Sequence, residues 1–454
     1  MAKTNSFQQL ASRLRGPLLL PGDGGYEDAR RIFNAMIDRR PAAIARCTGA
    51  VDVIECVRFA REQNLLVSVR GGGHSIAGKA VCDDGLMIDL SQMKGIRVDP
   101  ASRSAQAQPG LRLGELDRET QAFGLATPLG VVTNTGIAGL TLGGGIGWLN
   151  GKFGLACDNV ESFDLVTAEG RLVRASAVEN ADLYWGLRGG SGNFGVVTSF
   201  EYRLHPVGTV LGGMVLYPAA KAKAVLRSYF DFCLACPDEL SLIAGMLTGP
   251  DGNQVAAIAV CYCGELEQGE KLLQPLRSLA RPVADLIQPM PYVAQQALLD
   301  PAAPHGHRHY WKSSFARGLN DEALGLVQDF MARKPSPATF CYLQHVHGAA
   351  ARVGVTETAF SHRGDGHDFA IITQWPDPAD DEKNIAWARS FFGAMEPHLE
   401  AGVYVNNLGE EGGERVRAAY GPNYERLAAL KQKYDRDNFF RLNQNIAPAP
   451  AVAG

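Results

Sequence analysis

The histidine of Val67-Ser68-Val69-Arg70-Gly71-Gly72-Gly73-His74-Ser75 is the residue here with the most evident chemistry, an imidazole that at neutral pH can be a ligand, base or nucleophile. Leu65, Leu66, Val67 and Val69 suit a buried strand, and three glycines after it let the backbone turn sharply and approach an anion, with Arg70 alongside. A plain tight turn would use the same residues. Two more glycine clusters, Gly136 to Gly147 and Gly189 to Gly195, lie in the first half of the chain. Three such clusters imply a long polar ligand held mostly by main chain.

Other candidate motifs fail on context. Gly190, Gly192 and Gly195 fit G-x-G-x-x-G, but a helix-like NADLYWGLRG precedes them and a strand-like VVTSFEYRLHP follows. A dinucleotide fingerprint needs the reverse order, which excludes a nicotinamide site of that kind. No G-x-x-x-x-G-K-(S/T) occurs. His305, His307 and His309 would share one face of a strand, yet nothing carboxylic or thiolate is spaced to complete a site, and no metal is expected. Cys233 and Cys236 form a C-x-x-C without a second pair, inside a helical pattern, and read as core. Cys261 and Cys263 share a strand face, a poor metal site on their own.

The chain has 454 residues, 46% apolar and 20% charged, enough for two cores. A net charge of −4 without a basic stripe argues against nucleic acid, and no apolar run reaches membrane-span length. The first twenty residues lack an apolar h-region, so no secretory signal is expected. With nine cysteines in no framework, that points to the cytoplasm.

These residues need elements to position them. Residues 1–38 read as a polar lead-in with a short helix, EDARRIFNAMI. AAIARC, VDVIECVRFAREQ and LLVSVR then alternate strand, helix and strand, ending at His74. LGELDRETQAF is an amphipathic helix that Gly124 would stop. After Pro206 long strand-like segments alternate with amphipathic helices, and SLIAGMLTGP pairs with QVAAIAVCYCG across Asp251-Gly252.

With the neighbours of His74, the three glycine clusters and the C-terminal AAYGPNYERLAALKQKYDRDNFFRLNQNIAP, the chain resembles the berberine bridge enzyme-like branch of the vanillyl-alcohol oxidase / p-cresol methylhydroxylase flavoproteins. The resemblance implies an α+β fold: a two-subdomain FAD-binding domain of p-cresol methylhydroxylase type over 39–208, then a substrate domain over 209–410 with an antiparallel sheet flanked by helices. Residues 411–454 would return to the FAD domain. It implies FAD bonded covalently to the ring of His74. Cofactor contacts are expected from Arg70, Gly71, Gly72, Gly73, Ser75, Gly78, Gly130, Thr135, Gly136, Gly139, Gly143, Gly144, Gly145, Gly147, Val197, Asn443 and Gln444.

The implied activity is an oxidase that takes hydride from an alcohol or amine carbon of a small or specialised metabolite and passes electrons to oxygen, giving hydrogen peroxide. A dehydrogenase with another acceptor, or a non-catalytic flavin protein that sequesters a ligand, are the alternatives. Many relatives attach flavin again through the cysteine of G-x-C-P-T-x-G. The matching stretch here is Gly130-Val131-Val132-Thr133-Asn134-Thr135-Gly136, so a single link is expected, and Cys157 cannot be assumed to substitute. The family's Tyr-x-Asn-Tyr reads Tyr404-Val405-Asn406-Asn407, which makes Tyr404 the expected base with Asn407 in the second aromatic's place. Asp368 is the alternative acid position, with His347 behind it.

Overall fold

The computed structural model describes residues 2–450. Its first sheet sets Leu18–Leu19, Ala43–Arg46, Leu86–Asp89 and Val67–Arg70 side by side. Leu86–Asp89 pairs in parallel with both Ala43–Arg46 and Val67–Arg70, and its four residues are buried, which is why these strands read as unbroken apolar runs. Helix Ala50–Glu62 makes the crossover and buries Val53, Cys56, Val57 and Ala60, the three- and four-residue spacing of one helical stripe.

The N-terminal stretch is more structured than its polarity suggests. Helix Ala2–Arg13 buries Phe7 and Leu10 in the core of this first sheet. The buried Asp52 carboxylate accepts from the backbone N–H groups of Arg15, Gly16 and Thr48 and ties the segment down. The EDARR helix, in contrast, ends at Arg30. Phe33 N–H donates to Gly73 O, and the Asn34 side chain bonds Ile76 O and His309 O, so tertiary bonds pull the chain out of the helix.

A second sheet is antiparallel, in the order Ile96–Asp99, Ser104–Ala107, Val196–Arg203, Val160–Val166, Leu172–Ser176. The third, also antiparallel, runs Thr209–Pro218, Gln254–Tyr262, Leu240–Thr248, Phe340–Val346, Gly366–Trp375, Arg308–Ala316. Helices Ala222–Cys233, Leu266–Arg277, Asp321–Ala332 and Asp381–Met395 pack on one of its faces. The opposite face turns toward the glycine clusters. Beyond helix Tyr424–Tyr434 the chain returns, placing Phe439 and Phe440 in the core of the first sheet. Buried Lys431 fixes that return: it pairs with Asp435 at 2.7 Å and donates to Asn193 O and Phe440 O.

Candidate active site

Between the glycine clusters and the third sheet lies a cavity of about 430 Å³. Gly72 and Gly136 make part of its wall, and a Cβ on Gly72 would stand 2.4 Å from Gly136 Cα, so the first two clusters meet backbone to backbone. Gly73 turns the chain with φ +71°. Gly139 and Gly192 line the cavity from the second and third clusters, and where their Cβ atoms would stand there is nothing within 4 Å. That is space kept open for a ligand to lie against main chain.

His74 is in this wall. Its ring is stacked on Phe33, with centroids 3.8 Å apart and planes 16° apart, and its buried Nε2 has no partner among the described residues. Burial, followed by repulsion from His305, pushes its pKa down to about 4, so the imidazole is neutral at physiological pH. An orphaned buried nitrogen costs free energy unless a ligand meets it. Together with the open glycines, it fits a group bonded at His74.

The wall also contains Gly71, Ser75, Gly130, Thr135, Val197, Asn443 and Gln444, with Val132 among them. Other expected contacts are occupied elsewhere. Arg70 makes a bidentate pair with Asp89, at 2.9 and 2.7 Å, and donates to Ala29 O; its charge is spent on the neighbouring strand. Gly78 abuts Ile37. Gly143, Gly144, Gly145 and Gly147 face protein, respectively Asn406, Phe360, Ala156 and Leu129 O, and serve close packing. Cys157 lies in the buried cluster around Ile146 and Phe360, outside the cavity wall.

The third sheet supplies the opposite wall through alternate residues: Trp311; Phe340, Tyr342 and Gln344; Ile372 and Gln374. Tyr404 enters from the loop before Gly413–Tyr420. Its hydroxyl accepts from Gly145 N–H at 3.0 Å, Ile146 N–H at 3.3 Å and Asn406 Nδ2 at 2.8 Å. Those bonds favour the phenolate, but burial outweighs them and pushes the pKa up to about 12. Tyr404 is therefore protonated at neutral pH, its proton affinity raised by burial where the sequence reading expected it lowered.

Asp368 is the group poised near neutrality. It is fully buried, which pushes its pKa up to about 7 against the opposing hydrogen bonds of Tyr342 and Asn407. Tyr342 Oη donates to Asp368 Oδ2 at 3.1 Å, and Asn407 Nδ2 donates to that oxygen at 2.8 Å and to Tyr342 Oη at 3.1 Å. Tyr342 and Asn407 line the cavity, with Asp368 behind them. Tyr342 was not legible as a site residue, since strand alternation in FCYLQHV gives its face but not what that face meets. His347 lies away from the cavity, its Nε2 2.9 Å from Leu240 O. His305 and His307 precede the strand Arg308–Ala316, so the three histidines do not share a strand face, and His309 instead stacks on Phe33 at 4.4 Å.

A cleft walled by open glycines, with a neutral imidazole whose Nε2 is unmet on one side and a hydrogen-bonded carboxyl behind the other, suits a redox enzyme built around a flavin dinucleotide. Comparison with known proteins agrees: residues 41–176 match the FAD binding domain model and residues 403–447 the berberine and berberine-like model. The chain is 33% identical to an FAD-linked oxidoreductase of Dictyostelium discoideum, over 98% of this chain and 97% of that one. It is 32% identical to the (R)-6-hydroxynicotine oxidase of Paenarthrobacter nicotinovorans, over 96% and 97%. The crystal structure of 6-hydroxy-D-nicotine oxidase from Arthrobacter nicotinovorans superimposes with a TM-score of 0.88 at 29% identity, covering 96% of this chain and 98% of the other. BBE-like 1 of Physcomitrella patens, 24% identical, shares the fold with a TM-score of 0.89, covering 97% and 98%. The chain belongs to the berberine bridge enzyme-like FAD-linked oxidoreductases. Its fold is that of the vanillyl-alcohol oxidase / p-cresol methylhydroxylase flavoproteins. No helix among the described residues is long and apolar enough to cross a membrane.

Proposed function

We propose that this enzyme is an oxidase of small aromatic or alicyclic alcohols or amines, with FAD bonded covalently through a ring nitrogen of His74 and through no second link. The observation that carries the reading is the neutral His74 imidazole, its Nε2 without a partner among the described residues, in a wall of open glycines. Val132, in the place of the second attachment, has no nucleophile to offer. Bound there, FAD supplies the hydride acceptor, and oxygen is the terminal acceptor, leaving as hydrogen peroxide.

The protein's own part is binding, orientation and the proton. Trp311, Phe340, Tyr342 and Ile372 offer an apolar, largely aromatic wall, which favours a flat small molecule over a long sugar. Gln374 donates to Ala302 O and Ala338 O, and its buried Oε1 has no partner, so it can accept from a substrate N–H or O–H. Tyr404, whose two lone pairs are shared among the N–H groups of Gly145, Ile146 and Asn406, keeps its own O–H for a substrate acceptor. As hydride leaves the substrate carbon, the adjacent O–H or N–H proton passes to Tyr342 Oη while the Tyr342 proton moves to the Asp368 carboxylate.

Acid precipitation tests the tether: the pellet should stay yellow for the wild type and turn colourless for His74→Ala. Flavin wholly in the wild-type supernatant would refute it. Stoichiometric peroxide from a panel of cyclic amines and alcohols tests the activity. Substrate reduction of the enzyme with no reoxidation by oxygen would make it a dehydrogenase.

A further inference from the structure

On the far side of the third sheet from the cavity, five metal-ligating side chains meet that the oxidoreductase chemistry does not use. His345 and His367 are directly opposite one another on neighbouring strands, and both point to the helix-covered face because Gln344 and Asp368, one residue away on each strand, take the other. His347 follows at the end of the first strand. Helix Ala222–Cys233 ends over them, so that Cys233 and, one turn on, Cys236 come down onto the imidazoles. One ligand atom from each of Cys233, His345 and His367 lies within 4.8 Å of the others, and the same holds for Cys236, His345 and His347.

The hydrogen bonding in this cluster is incomplete in a telling way. His345 is fully buried; its Nε2 is 2.9 Å from the Asp365 carboxylate, while its Nδ1 has no partner among the described residues. A carboxylate on one ring nitrogen and nothing on the other is the arrangement that fixes a metal-binding tautomer. His367, 2% exposed, has no hydrogen-bond partner on either nitrogen among the described residues. Burial keeps His367 and His347 neutral, the ligand form, with pKa values pushed down to about 3 and about 4. It also pushes up the Cys233 and Cys236 thiols, a cost that a bound cation would reverse.

We propose that this cluster is a structural site for a zinc-class divalent ion, held by Cys233, His345 and His367, with Cys236, which meets the same His345 in the second triad, joining them as the helix end moves toward it. A tetrahedral zinc ion needs ligand atoms about 3.3–3.8 Å apart. The ligand atoms of each triad lie within 4.8 Å of one another, so a small inward movement of the helix end is enough to reach that spacing. Two thiolates and two imidazoles favour zinc over magnesium or calcium. The ion would pin the end of helix Ala222–Cys233 to the two strands whose opposite face carries Tyr342 and Asp368.

The test uses the full-length flavoprotein, stripped by chelator, incubated with excess zinc or cobalt chloride and desalted. We expect close to one metal per chain by mass spectrometry, falling at least tenfold in Cys233→Ser and in His367→Gln, with the flavin spectrum retained. Cobalt should give the intense visible bands of a tetrahedral ion together with a near-ultraviolet thiolate charge-transfer band. Where a variant does not fold, the wild-type cobalt spectrum decides. Less than a tenth of an equivalent retained by the wild type, a cobalt spectrum without thiolate charge transfer, or folded variants that hold metal as the wild type does would each overturn the site.

Discussion

The Phe33 ring lies flat on the His74 imidazole, 3.8 Å between centroids, and carries His309 on its other side at 4.4 Å. This sandwich holds the ring that we propose to be the cofactor tether, and Phe33 is itself held by its N–H bond to Gly73 O. Phe33→Ala removes one wall and frees the imidazole to rotate. Covalent flavin should form several-fold more slowly in this variant, while Phe33→Leu, which keeps an apolar surface, should fall between. Fluorescence of the acid-precipitated protein against time after FAD is added to the apoprotein measures it.

Gly139 and Gly72 distinguish a ligand cradle from a packing contact. A Cβ at Gly139 meets open space in the cavity wall, so Gly139→Val should fold with a wild-type melting temperature but lose at least tenfold in FAD affinity. A Cβ at Gly72 meets the Gly136 backbone at 2.4 Å, so Gly72→Ala should fail to accumulate as folded protein, with or without flavin. Thermal melts of the apoproteins and flavin titrations separate the two outcomes.

Much of this site could be read in the chain and some could not, for physical reasons. Gly71 to Gly73 and Gly136 stood out because only glycine permits two backbones to approach as Gly72 and Gly136 do. Arg70 looked free for an anion because its partner, Asp89, is nineteen positions on and reaches it only through parallel pairing. Cys233 and Cys236 read as core because the histidines they meet come from strands more than a hundred residues away. The raised proton affinity of Tyr404 was not legible, because sequence shows its neighbours but not its burial. The Ala2–Arg13 helix was hidden by its polar residues, since Phe7 and Leu10 are its apolar anchors among the described side chains, within a stretch held by Asp52.

Acid should destabilise the apoprotein well above the carboxylate range. His74 and His205 have pKa values pushed down to about 4 and His309 to about 3, in each case chiefly by burial. The unfolded chain takes up these protons near pH 6.5, the folded chain only near 3–4. Stability from these groups is thus complete above about 6.5 and is lost as pH falls toward 4. The melting temperature should fall by several degrees between pH 7 and pH 5, and less in His205→Leu, which keeps the packing on Phe153 but does not titrate.

Asp368 titrates in the opposite sense and, in the proposed relay, should carry the enzyme's pH profile. Its folded pKa, pushed up to about 7, lies above the unfolded value of 3.8, so folding favours the neutral acid. That contribution is complete below about 4 and is lost as pH rises through 7. Turnover needs the ionised form and should therefore rise through pH 7 as this stability is given up. Asp368→Asn keeps the side-chain volume, cannot take the proton, and should lower kcat by about 10²–10⁴. Its rate should show no rise near pH 7, and its melting temperature should gain on the wild type as pH goes from 5 to 8. Tyr342→Phe breaks the relay but not the carboxyl, and should lower kcat while leaving KM nearly unchanged. Tyr404→Phe should raise KM and leave the rise near pH 7 in place. If Tyr404→Phe abolished that rise and Asp368→Asn kept it, the proton would belong to Tyr404, and the three N–H groups around its hydroxyl would have to outweigh its burial.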